Sequence, residues 1–149
     1  MNTTMMNRTW KCLLAASLMS LVFQAHAATL LVGSYTDGAS KGIYRYHFDT
    51  ERGQIDTQPL QVVNSVSPSW LVLSADQRLL FAVNETPKGQ VSSFALSSKG
   101  EIKPLNQVAS QGDEPTHASL SHDQRYLFVA NYAVAAVPGE ALLVAVVDD

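Results

Sequence analysis

Two side chains stand where they can meet a ligand. His117 lies at the start of a β-rich run, Thr116 to Leu120, and Glu85 comes just after the end of another, Leu79 to Val83. An imidazole there offers a hydrogen bond or a proton acceptor near neutral pH, and a carboxylate can bind hydroxyl groups. The plainer alternatives are a strand-end histidine bonded to a loop carbonyl and a glutamate bonded to a loop amide. Asn84 and Asn131 end equivalent strands and are expected to make the same turn hydrogen bond in each. Tyr35 and Tyr132 could line an exposed face, but aromatic packing between neighbouring sheets is the expectation for both. Other chemistries are excluded. His26, His47, His117 and His122 lack zinc spacing. Gly33-Ser-Tyr-Thr-Asp-Gly38 lacks the lysine and the helix of a phosphate loop, and no serine sits in a Gly-x-Ser-x-Gly elbow. Asp148-Asp149 is only an acidic end. No metal and no cofactor is expected.

The elements that must position these residues begin after a leader. Residues 1–27 carry Arg8 and Lys11, then an apolar run from Leu13 to Phe23 broken by Ser17 and Ser20, then Ala25-His26-Ala27. That run is too short to span a bilayer, and Ala-x-Ala is the pattern a signal peptidase cuts after. The expectation is a secretory signal over 1–27, cleavage after Ala27, and a secreted or periplasmic domain over 28–149. Cys12, the only cysteine, leaves with the signal, so the mature chain has no disulfide and no thiol chemistry. Of ten Lys and Arg against thirteen Asp and Glu, two cations also leave, and eight against thirteen is a balance of −5. Such a surface speaks against nucleic acid or an anionic membrane as partner. With 46% hydrophobic and 15% charged residues in 149, the chain folds as one domain and is not disordered.

An internal repeat sets the architecture. Pro68 to Asn84 overlays Pro115 to Asn131 at an offset of 47 residues, with nine identities that include Ser74/Ser121, Asp76/Asp123, Gln77/Gln124, Arg78/Arg125 and Asn84/Asn131. A repeat of 40 to 50 residues is the mark of propellers and solenoids. Each copy places two short β-rich runs around a polar turn, Ser74 to Arg78 in the first. Further strands are expected at Val91 to Leu96 and Pro104 to Ala109, completing a four-stranded blade from Trp70. Three precede it (Thr29 to Gly33, Ile43 to Phe48, Pro59 to Asn64) and three follow (Thr116 to Leu120, Tyr126 to Asn131, Ala141 to Val147). The fold class is therefore all-β: antiparallel propeller blades, one complete and flanked by two partial ones. Propellers close with at least about four blades. Open blade edges favour self-association.

The ordered series Leu31-Val-Gly-Ser-Tyr35-Thr, Gly42-Ile-Tyr44, Ser67-Pro-Ser-Trp-Leu71, Leu80-Phe-Ala-Val-Asn-Glu85, Gly112…Pro115-Thr-His117 and Phe128-Val-Ala-Asn-Tyr132 resembles the opening third of the seven-bladed β-propeller lactonases. These are the 6-phosphogluconolactonase-like family, which also includes fungal carboxymuconate lactonizing enzymes. The resemblance implies cofactor-free hydrolysis of a small-molecule sugar-acid lactone, and export makes a non-phosphorylated aldonolactone the better fit to the compartment. It also implies that the acting His, Arg and Glu lie on later blades, in His-Ser, Gly-Pro-Arg-His and second Val-Asn-Glu motifs that this chain does not contain. Val83-Asn84-Glu85 and Pro115-Thr116-His117 are earlier-blade echoes, the latter with Thr where the catalytic copy has Arg. His117 would then start an innermost strand facing the central channel, able to touch substrate, with Glu85 a second contact. The alternative is a truncated, non-catalytic propeller fragment or binding module, inactive alone, and the departure from the family at Ala133 to Gly139 supports it.

Overall fold

The computed structural model describes residues 27–133 and 142–146. Residues 1–26 of the expected signal lie outside them, as do residues 134–141 and 147–149, while Ala27 opens the first strand. The described residues form eleven strands and no helix: β1 (Ala27–Gly33), β2 (Gly42–Asp49), β3 (Gln54–Ile55), β4 (Gln61–Asn64), β5 (Pro68–Leu73), β6 (Leu79–Asn84), β7 (Gln90–Leu96), β8 (Ile102–Ala109), β9 (Asp113–Leu120), β10 (Tyr126–Ala133) and β11 (Leu142–Val146). Every expected strand is present. The extra one, β3, is two residues long, and β4 begins at Gln61, because Pro59 and Leu60 lie in the bent segment that precedes it.

Three antiparallel sheets result. The first has β1 beside β2, with β3 and β4 pairing successive stretches of the far side of β2. The second runs β5-β6-β7-β8, and the third β9-β10-β11. The repeat makes β9 the counterpart of β5 and β10 that of β6. The middle sheet is thus a whole blade, and among the described residues the first sheet has no inner strand beside β1. None of the sheets closes on itself, and the architecture is that of an incomplete propeller.

Alternation along β6 explains why the sheets stack as blades. Leu80 and Ala82 point one way, into a core with Ile43, Val63, Phe94 and Ile102 and with Leu31 and Leu71 beside them. Phe81 and Val83 point the other way, into a core with Val91, Ala118, Leu127 and Val129. A strand apolar at successive positions must be covered on both faces. Here the first sheet covers one face and the third the other.

The repeated turns are built by side chains. Ser74 Oγ donates to Asp76 Oδ1 (2.7 Å) and accepts from the Leu79 amide (2.9 Å), while Asp76 Oδ1 accepts from the Arg78 amide (3.0 Å). Ser121 and Asp123 repeat the arrangement with Tyr126 and Arg125. The side-chain bonds hold Gln77 and Gln124 at φ 58° and 62°, a left-handed conformation that non-glycine residues seldom adopt. Gln124 also bridges the copies: its Oε1 accepts from the Ala75 amide of the neighbouring turn (2.8 Å).

Candidate functional site

Strand direction gathers one set of termini at a single end of the sheets. β1 and β6 finish there, and β5 and β9 begin there, so Tyr35, Ser67, Glu85, Trp70 and His117 share that end. Gly33 makes the approach possible. A side chain on it would run into the Pro68 carbonyl, so only glycine lets the loop after β1 lie against the start of β5. The Ser67 amide donates to Thr36 Oγ1 (3.1 Å), and the Glu85 amide donates to the Ser67 carbonyl (3.0 Å), tying first sheet to second.

Glu85 and Tyr35 meet across this junction. The Tyr35 hydroxyl donates to Glu85 Oε2 at 2.8 Å. Donation to the carboxylate raises the Tyr35 pKa, and the negative charge of Glu85 adds to the effect. Tyr35 is 52% exposed and Tyr132 80%, so neither is the inter-blade packing residue expected from its type. Tyr35 instead spends its hydroxyl on orienting a carboxylate.

His117 meets Trp70. Their ring centroids are 4.5 Å apart with planes tilted 44°, and the indole N–H donates to the Ala118 carbonyl at 2.9 Å. Trp70 and His117 are repeat-equivalent, each two residues after the proline that opens its inner strand. Both strands carry a bulge at the residue between, Ser69 in β5 and Thr116 in β9. A bulge re-aims the side chain that follows it, and both bulges sit at the end where Tyr35 and Glu85 lie. The 47-residue offset already aligned Trp70 with His117, so the repeat held the signal for a residue that its type alone did not mark. His117 lies on the face of β9 opposite Ala118, the face that also carries Phe128 and Ala130 by register.

The two asparagines are structural, but they reach to the segments that connect successive sheets and not into their own turns. Asn84 Nδ2 donates to the Val66 carbonyl (2.6 Å) and Asn131 Nδ2 to the Ser110 carbonyl (3.1 Å), each in the segment leading into an inner strand.

This end offers an oriented carboxylate, a phenol, an accessible imidazole and an indole. Such a set can hold hydroxyl groups and pass a proton. Among the described residues no three His, Cys, Asp or Glu converge in a way that could hold a metal ion. A concavity of about 1030 Å³ opens at the opposite end, between Thr29, Leu31, Leu73, Arg78 and Lys99. It lies beside the unpaired edge of β1, where the other sheets carry an inner strand, and it gathers neither His117 nor Glu85; its size reflects that uncovered edge.

Successive antiparallel sheets of three or four described strands that share cores face to face, with a polar end, define a β-propeller protein. The family model for the seven-bladed β-propeller lactonases matches residues 29–142, and the chain belongs to that family. The chain is 27% identical over 103 residues to the 6-phosphogluconolactonase of Bacillus subtilis, covering 68% of this chain and 29% of that protein. Among solved structures, the periplasmic gluconolactonase PpgL of Pseudomonas aeruginosa aligns with a TM-score of 0.69 and 43% identity, over 72% of this chain and 31% of that one. A protein described as a putative 6-phosphogluconolactonase from Bacteroides uniformis aligns with a TM-score of 0.65 and 34% identity, over 72% and 31%. The chain thus spans about three-tenths of the length of these relatives.

Proposed function

We propose that these blades belong to an exported lactonase that opens the ester of a non-phosphorylated sugar-acid lactone, with water as the second reactant and no cofactor. Membership of the lactonase family carries this reading. Likeness to a periplasmic gluconolactonase, together with the leader-like residues 1–27, supports both the compartment and the lack of a phosphate. In this reading Glu85, oriented by Tyr35, accepts hydrogen bonds from substrate hydroxyls, and His117 contacts the lactone from the start of its inner strand. The general base and the group that stabilises the oxyanion come from other blades of the ring. The 149-residue chain alone therefore binds without turning over.

Acid release from glucono-1,5-lactone and from 6-phosphogluconolactone tests the reading. The chain alone should not exceed the spontaneous rate on either. If the reading frame continues past codon 149 with further repeats, its full product should open the unphosphorylated lactone faster. Preference for the phosphorylated lactone, or no turnover of either by such a product, would overturn the substrate assignment. Turnover by the 149-residue chain that vanishes in His117→Ala would move the chemistry onto these blades.

A further inference from the structure

Trp70 is exposed in a way the packing of its own sheet does not require. Its sheet is covered on both faces, yet Trp70 remains 42% exposed. His117 differs: it projects from the face of the third sheet that no described sheet covers, so its exposure says less about a site. The indole is also held in place. Its N–H is pinned to the Ala118 carbonyl across the inner strands, His117 abuts the ring, and the Ser69 bulge sets its direction. A large aromatic surface that is immobilised in advance loses little conformational freedom when a ligand covers it.

We infer that Trp70 is the platform against which a polyhydroxylated lactone ring lies. This rests on the lactone reading above and adds to it the residue that takes the non-polar side of the substrate. The axial C–H bonds of a sugar-derived ring form a weakly positive, apolar face, and the π-face of indole is electron-rich and apolar, so the two match in shape and in sign of charge. The hydroxyl rim of the same ring needs hydrogen-bond partners, and Glu85 with Tyr35 stands at the same end of the sheets to provide them. An aromatic floor with a few polar groups at its edge is how small-molecule sites divide affinity from orientation. The platform sets specificity for a saturated, hydroxylated ring; it takes no part in bond breaking.

The chain's two tryptophans are Trp10 and Trp70, so Trp10→Phe makes Trp70 the sole reporter of indole fluorescence. In that background, titration with glucono-1,5-lactam, which resists hydrolysis, should shift Trp70 emission saturably. Calorimetry should then find affinity at least about tenfold weaker in Trp70→Leu, which keeps apolar bulk without a π-face, and within about threefold of the parent in Trp70→Phe. Circular dichroism melts establish that both variants are folded. Equal affinity in the Leu and Phe variants overturns the platform. Binding that is lost in His117→Ala but unchanged in Trp70→Leu also overturns it, while leaving the lactone reading in place. No saturable binding by the parent chain would remove the lactone reading and the platform together.

Discussion

Tyr35 keeps its proton more tightly than an isolated phenol because the hydroxyl donates to the Glu85 carboxylate. Glu85→Gln removes that charge, and the Tyr35 pKa should fall back toward about 10. Ultraviolet difference titration, with Tyr35→Phe identifying the transition, checks this; an unmoved titration would mean that the pair does not persist in solution. Asn84 is a different kind of polar residue, fully buried. Its amide donates to Ser65 Oγ and the Val66 carbonyl, and its oxygen accepts from Ser92 Oγ and Gln107 Nε2. Asn84→Ala leaves these partners unsatisfied in the interior and should cost about 2 to 3 kcal/mol. Asn131→Ala, half-buried and donating to one carbonyl, should cost about 1 kcal/mol; denaturant midpoints compare the two. Sequence marked Glu85, His117 and both asparagines by type and position. It did not reveal Tyr35 as the partner of Glu85, since a bond between residues 50 apart depends on how two sheets meet, and no local pattern encodes that.

Strands and turns were far more legible, because alternation and turn chemistry are local. The Ser-x-Asp turn is readable from three residues, and its copy 47 residues on confirmed it. β3 escaped because two residues cannot display an alternation, and the bulges at Ser69 and Thr116 escaped because an extra residue in one strand shows only against its partner. The turns also predict behaviour in acid. The Ser74 hydroxyl and the Arg78 amide hold Asp76 below the ordinary carboxylate pKa, and Ser121 and Arg125 do the same for Asp123. A carboxyl with a lower pKa in the folded state contributes stability above its unfolded value of about 4, and loses that contribution as pH falls through the folded value. Melting temperature should therefore decline below about pH 4, and Asp76→Asn with Asp123→Asn should make that decline shallower while lowering the melt at neutral pH. A parallel offset at all pH values would show that the charge plays no part. Gly42, at φ 126° with the Ser65 backbone where a side chain would go, permits no substitute; Gly42→Ala should lower stability by more than the 1 kcal/mol usual for a strained glycine site.

Across the whole molecule, apolar surface remains on the outer faces of the first and third sheets. Val32 and Val62 are exposed on one and Phe128 on the other, on the sides opposite the two cores, and among the described residues one edge of β1 has no partner strand. We expect the 149-residue chain to self-associate through these faces and edges. Light scattering over a range of concentrations should give a mass above that of one chain, and Val32→Lys with Phe128→Lys should move it toward monomer; a monomeric parent would refute this. That the sheets follow one another as successive blades was legible from the 47-residue repeat, whereas the cores they share needed the register. That sharing constrains how the molecule comes apart. β6 gives alternate residues to two cores, so it has no solvent face of its own and cannot open without opening both neighbours. Amide hydrogens of Leu80 to Val83 should accordingly be the last to exchange with deuterium, at rates set by global unfolding, whereas those at the rims of the first and third sheets are released by local fraying.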